Sequence, residues 1–179
     1  EEPLPEALDT VLRGAWGDYA HVELEGDEVG TRFSGDGVEA RLDLVQAERN
    51  GWRGRSGAQY FTRKLNIVGA EAFVPNNNIG RFGIFTLQSF TTGRLGIEAA
   101  GRYERVSVKS APVAFDRSFD LWSAAAGLSF SFDGGIKIGA NYTRGARAPA
   151  PEELLSDGLH VATQGYELGN QSFRSETSD

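Results

Sequence analysis

Two histidines and one glutamate are the side chains of this sequence best suited to bind a metal ion. His21 and Glu23 are two positions apart in a segment of alternating residue types, so on a β-strand both project from one face. A nitrogen and an oxygen at that spacing suit a metal such as zinc. His160 lies in a long irregular segment and completes the set only if that segment folds over the same face. The competing interpretation is that His21 is a solvated strand histidine, and local spacing does not decide between the two.

Signatures of catalysis are absent from the sequence. It has no Gly-x-Ser-x-Gly nucleophile elbow and no phosphate-binding glycine loop. It also has no cysteine, which excludes disulfides, thiolate zinc sites and cysteine nucleophiles. The pair Glu152-Glu153 is more typical of a helix start than of a catalytic dyad, because adjacent residues on a helix do not face each other. We therefore predict that the protein is not an enzyme and requires no cofactor.

The amino-acid composition limits the kinds of partner that the protein can bind. The chain has 179 residues and a net charge of −7, which argues against a nucleic-acid binder because phosphates call for a basic face. No apolar run approaches the roughly 18 residues of a membrane-spanning helix. The mean hydropathy of −0.35 is typical of a soluble protein. Membrane barrels, however, alternate polar and apolar residues and also average out hydrophilic.

A period of two dominates residues 16–144 and predicts about eight strands. In the clearest one, Val38–Leu44, apolar residues alternate with charged ones after an expected turn at Gly35-Asp36-Gly37. Short turns such as Asn50-Gly51 force neighbouring strands to be antiparallel, so the predicted fold is all-β, an up-and-down meander. Lys64–Val74 is expected to be a strand separate from the run Trp52–Phe61. Periodicity alone leaves a membrane barrel and a soluble barrel equally open.

The two ends of the chain break this pattern. Leu4, Leu8 and Leu12 have helical spacing, which predicts a short amphipathic helix over Pro5–Arg13 within a lead-in of residues 1–15. Residues 145–179 contain a proline-rich stretch and are expected to form a long loop and the start of a returning strand. The chain lacks an initiator methionine and ends on a polar run, from which we expect an internal segment of a longer protein.

The late part of the sequence resembles a known family. The run Asn141–Pro149, followed by Glu152-Glu153-Leu154, is similar to the late-barrel signature of TonB-dependent outer-membrane receptors. Gly169-Asn170 and then Glu176-Thr177-Ser178 resemble the half in which the chain re-enters the barrel. Earlier segments, including Tyr19–Glu23, resemble the branch of this family that contains zinc-uptake and iron-complex receptors. The resemblance covers about residues 16–179.

The resemblance implies a middle-of-barrel fragment in the outer membrane of a Gram-negative bacterium, where the whole receptor closes roughly 22 strands. It implies import of a metal ion or metal chelate, with zinc or an iron complex as cargo and His21, Glu23 and His160 as its ligands. It further implies contact with outer-membrane lipid, and with the TonB complex only through a plug domain that we expect this chain to lack. Arg147 is expected to hold the base of the loop.

The resemblance also assigns the two sides of the strands. Side chains of the polar side are expected to line the lumen: Arg94, Glu98, Arg102, Lys137 and Asn141. Side chains of the apolar side are expected to meet lipid: Leu95, Ile97, Trp122, Leu128, Ile136 and Ile138.

Two alternatives remain open at the level of sequence. The chain could be a self-contained soluble barrel, or a porin-like one, that binds a small ligand. As an isolated fragment it could also self-associate, because an open sheet leaves unpaired edges and a bare apolar face. In the absence of lipid we expect the sheet to curl so that Leu95, Trp122, Leu128 and Phe130 point inward.

Overall fold

Long antiparallel strands make up most of the chain. A computed structural model describes residues 8–69, 72–160 and 164–179. The elements are β1 (Leu8–Glu25), β2 (Glu28–Arg49), β3 (Trp52–Gly69), β4 (Asn77–Thr92), β5 (Leu95–Ser110), β6 (Phe115–Ser131), β7 (Lys137–Arg147), α1 (Pro151–Leu155), β8 (Asp157–His160), β9 (Gly165–Leu168) and β10 (Glu176–Ser178).

The main sheet has eight strands in the order β1-β2-β3-β4-β5-β6-β7-β10, and each pair is antiparallel. Strands β8 and β9 form a separate hairpin between β7 and β10. The prediction of an all-β antiparallel meander of about eight strands is confirmed. Within the described residues the sheet is open, with β1 at one edge and β10 at the other.

The predicted N-terminal helix is wrong. Residues 8–13 belong to β1, where Leu8 pairs with Gln46 and Arg13 with Arg41; the first residues of the predicted helix lie outside the described part of the chain. Leu8, Thr10 and Leu12 fit a period of two as well as a helical one. A helix of two turns is marginal in water, whereas the edge of the long β2 strand offers a complete ladder of hydrogen bonds.

Two predicted strand boundaries also fall inside continuous strands. Gly35 and Gly37 are not in a turn; they lie in the middle of β2, opposite Leu65 and Arg63 of β3. The backbones approach closely there, since a Cβ at Gly35 would lie 2.5 Å from the carbonyl oxygen of Lys64. The strands expected at 52–61 and 64–74 are one strand, β3, which ends at Gly69.

One face of the sheet, which we call the apolar face, exposes large hydrophobic side chains. A single row of paired residues crosses six strands on this face: Leu12, Leu42, Ala58, Ile84, Tyr103 and Trp122. Leu12 is 74% exposed and Trp122 is 69% exposed. Solvated proteins rarely leave such an extended apolar surface uncovered, so this face requires an apolar neighbour.

The opposite face, which we call the polar face, carries both the charged residues and the buried core. Arg13, Asp43 and Arg102 belong to it by strand alternation. At one end of this face α1 packs on β4, β5 and β6; the connection between β7 and β10 that contains α1 is called the segment 148–175. The buried core consists of Ile79, Val106, Val108, Phe115, Phe119, Leu121, Leu154 and Leu155.

No helix within the described residues is long and apolar enough to cross a membrane.

The expected inward curl of the apolar face is wrong. Leu128 and Phe130 are 55% and 40% exposed on the same face as Trp122. The chain instead forms its core on the polar face, because the segment 148–175 supplies Leu154 and Leu155 as a covering layer there. The sorting of side chains between the two faces follows the sequence prediction: Ile97 pairs with Leu128, while Glu98 pairs with Gly127.

Candidate functional site

The polar face holds a carboxylate surrounded by arginines. Asp43 on β2 has no exposed side-chain surface, and its oxygens lie 2.8 Å from Arg13 Nη1, 3.1 Å from Arg41 Nε and 3.9 Å from Arg55 Nε. These residues come from three adjacent strands, because β1 and β3 flank β2. Arg41 also lies over the ring of Phe85, 4.7 Å from its centroid. With Phe85 on β4, the contacts of this cluster connect four strands. Because three arginines surround one aspartate, the cluster has a surplus of positive charge on the polar face.

His21 and Glu23 lie together on the polar face, near the turn between β1 and β2. The His21 Nε2 atom is 3.8 Å from Glu23 Oε1. The imidazole stacks on Phe33 of β2, with ring centroids 4.4 Å apart and planes inclined by 8°. Its Nδ1 atom is buried and has no hydrogen-bond partner among the described residues. The structure thus brings together these two of the three predicted ligands.

His160, the third predicted ligand, lies on the β8–β9 hairpin. Its Nδ1 atom is 2.6 Å from Glu167 Oε1, and its ring stacks on Phe73 with a centroid separation of 4.6 Å. Across residues 8–69, 72–160 and 164–179, no group of three or more His, Asp or Glu residues is placed to hold a metal ion. The arrangement is two separate pairs, each with one imidazole and one carboxylate. Glu167 was missed by sequence reasoning, because its contact with His160 depends on the register of a short hairpin, in which Glu167 pairs with Gly158 and His160 pairs with Gly165.

Arg147 closes the base of the segment 148–175. Its guanidinium donates to Glu153 on α1 at 2.8 and 3.0 Å, and to Glu176 on β10 at 2.7 and 3.0 Å. The predicted role of Arg147 in holding the loop base is confirmed. Glu153 also accepts a hydrogen bond from the Ala150 N–H at 2.7 Å, which is the helix-start role predicted for the glutamate pair.

Electrostatics favour the ionised form of Glu153. The Arg147 guanidinium, followed by the Ala150 N–H, holds the pKa of the Glu153 carboxyl below its usual value. On the neighbouring hairpin, the hydrogen bond from the Tyr166 hydroxyl to Asp157 raises the pKa of Tyr166. The charged contacts at the loop base therefore operate at neutral pH.

A hollow on the polar face has a floor without side chains. Gly17, Gly35 and Gly37 lie side by side on β1 and β2, and the cavity above them has a volume of about 620 Å³. Sequence reasoning missed these residues and assigned two of them to a turn. The sequence signal that could have found Gly35 and Gly37 is their spacing of two positions, which places both on the same face of one strand.

Comparison with known families gives a match that spans nearly the whole chain. The family model described as TonB dependent receptor-like, beta-barrel matches residues 9–179. The chain therefore belongs to the TonB-dependent receptor barrel family and is part of such a barrel. These barrels lie in the Gram-negative outer membrane and are transporters, not enzymes, which confirms the prediction that the chain is not an enzyme.

Proposed function

We propose that this member of the TonB-dependent receptor barrel family forms part of the wall of a receptor that imports a metal ion or a metal chelate. In this proposal the apolar face contacts outer-membrane lipid and the polar face lines the lumen. Support comes from the exposed row Leu12, Ile84 and Trp122 on one side and the ion cluster around Asp43 on the other. Energy from the TonB complex would reach the cargo through a plug domain, as the sequence resemblance implies.

The observation that carries the cargo proposal is the pairing of each histidine with a carboxylate. His21 faces Glu23 at 3.8 Å, and His160 faces Glu167 at 2.6 Å. Imidazole nitrogen and carboxylate oxygen are ligands that zinc and iron both accept. We propose that His21, Glu23 and His160 are cargo ligands, and that the cargo passes from the loop pair to the wall pair.

The segment 148–175 has a place in this proposal. The connections after β1, β3, β5 and β7 lie at one end of the sheet and include the two longest, the segment 148–175 and the connection between β3 and β4, whereas the connections after β2, β4 and β6 lie at the other end and are all short. Outer-membrane barrels carry long loops outside and short turns inside. We therefore propose that residues 145–179 form an extracellular loop with its returning strand, so that His160 is the first of the ligands that cargo meets.

The test is uptake of radioactive zinc and of an iron chelate by cells that express the whole receptor of which this chain forms part of the wall. His21→Ala and His160→Ala are each expected to reduce uptake of the true cargo about tenfold or more, since loss of a side chain that binds a metal, or that orients such a side chain, has effects of this size. Leu168→Ala, at a 76% exposed position of the same hairpin, is the matched control and is expected to leave uptake unchanged. Uptake of both metals that is unaffected by the two histidine variants would contradict the metal proposal.

A further inference from the structure

The hollow on the polar face has the construction of a small-molecule site. Its floor is backbone alone, because Gly17, Gly35 and Gly37 are adjacent and bring no side chains. Its volume of about 620 Å³ is in the range of small-molecule pockets, roughly 300 to 1,000 Å³. The hollow lies on the strands themselves, away from the segment 148–175, so the core described above does not fill it.

The three glycines of the floor differ in whether a side chain would fit at their position. A Cβ at Gly35 or Gly37 would come within 2.5 or 2.9 Å of a carbonyl oxygen of β3, so both positions need glycine for the strands to pack. A Cβ at Gly17 would meet nothing within 4 Å. Packing therefore does not explain Gly17, and a side chain there would project into the open hollow.

Aromatic rings form the walls. The stacked pair of His21 and Phe33 stands at one end, with Tyr19 beside it at a centroid distance of 5.2 Å from His21. Phe61 stands at the other end. A flat backbone floor between ring systems suits a flat ring, which gains dispersion and stacking contacts on several sides.

Within the described part of the chain, Arg63 faces this hollow without an ion-pair partner. Arg63 is half-buried, and its Nε atom is buried without a hydrogen-bond partner among the described residues. Glu39, an acid of the lining, is engaged by the Gln59 amide at 2.8 Å, and none of the ion pairs within 4 Å among the described residues includes Arg63. A buried donor on a charged group is costly unless it is satisfied, and the planar guanidinium best matches a carboxylate or phosphate.

We propose that this hollow binds a flat, ring-bearing organic anion, with the ring between the aromatic walls and the anionic group on Arg63. This site shares the His21 ring with the metal ligands proposed above, but it uses that ring as a wall and holds an organic anion on Arg63, so its occupation does not require that the cargo be a metal. Binding is measured at equilibrium, without transport, so its failure and the failure of the uptake proposal are separate results.

The experiment is equilibrium dialysis of 2-naphthoate against the full chain folded in detergent micelles, with empty micelles as the blank. The neutral 2-naphthylmethanol is the comparison probe. We expect saturable binding of 2-naphthoate by the wild type. Gly17→Leu is expected to abolish it by filling the hollow. Arg63→Gln is expected to weaken 2-naphthoate about tenfold or more while leaving 2-naphthylmethanol within about twofold, since only the anion uses the charge.

Gly101→Leu is the matched control. A Cβ at Gly101 would also meet nothing within 4 Å, yet this glycine lies on the apolar face, paired with Ala124. The variant should bind 2-naphthoate like the wild type, and circular dichroism should show equal folding of all variants. The proposal is overturned if the wild type binds no more than empty micelles, if Gly17→Leu binds like the wild type, or if Arg63→Gln weakens both probes equally.

Discussion

Leu154 is the side chain on which the docking of the segment 148–175 depends most. It is 1% exposed and packs in the core formed with β4, β5 and β6, next to Leu155. Helix α1 has five residues, too few to be stable without tertiary contacts. Replacing Leu154 with alanine therefore removes the contact that offsets the cost of ordering the segment.

The size of the effect of Leu154→Ala on docking follows from the burial of the Leu154 side chain. A fully buried Leu→Ala change costs about 2–5 kcal/mol, and a value of about 3 kcal/mol shifts the docking equilibrium on the order of 100-fold. Two backbone hydrogen bonds report on docking: Gly169 N–H to Ser156 O at 2.7 Å and Asn170 N–H to Glu153 O at 2.9 Å. Their protection against hydrogen exchange should fall by that factor in Leu154→Ala, while amides in the middle of β5 keep theirs.

Leu168→Ala is the control for this prediction. Leu168 has the same side chain in the same segment but is 76% exposed, so its truncation should cost less than about 0.5 kcal/mol. Protection of Gly169 and Asn170 that falls equally in both variants would refute the reasoning that buried contacts on the polar face hold the segment. So would full retention of protection in Leu154→Ala.

Further predictions concern the apolar face, the contacts of Glu153 at the loop base and the turn at Gly51. Trp122→Arg should lower the stability of the inserted protein by about 2–4 kcal/mol, measured by denaturant unfolding in lipid vesicles, whereas Ser123→Arg on the polar face should cost far less. The pKa of Glu153 is lowered in the folded state, so its stabilisation is present above the ordinary value of 4.5 and is lost as pH falls through the folded value. Proteolysis of the segment 148–175 should therefore accelerate below about pH 4.5, and less so in Glu153→Gln. Gly51→Ala should cost more than Gly93→Ala in a thermal melt: both have positive φ, but only at Gly51 would the new Cβ meet the Thr91 backbone.

The strands were predictable because alternation is local information. The sorting of Ile97 and Trp122 to one side and Glu98 and Arg102 to the other needs only a period of two. The N-terminal prediction failed because Leu8 and Leu12 satisfy both periods, and the choice was made by the exposed edge of β2, which is not local. Gly35 and Gly37 were misassigned for a related reason. A glycine pair marks a turn or a close approach of two strands, and only the partner strand distinguishes them.

The site was less predictable than the fold. His21 and Glu23 converge because they are two apart on one strand, which the sequence contains directly. The environment of Asp43 and the pairing of His160 with Glu167 depend on register between strands, which no single segment encodes. Arg147 was correctly interpreted because it comes at the point where alternation stops and acidic residues follow.

The proposed function requires that the apolar face meets lipid and that the polar face meets water. The chain has no cysteine, so Leu128→Cys and Ser129→Cys each introduce a single thiol, on neighbouring positions of β6 and opposite faces. In outer membranes of cells that express the protein, a membrane-impermeant maleimide should label Ser129→Cys at least about tenfold faster than Leu128→Cys, because a thiol in lipid stays protonated and beyond the reagent's reach. Equal labelling of the two positions, or faster labelling of Leu128→Cys, would contradict the claim.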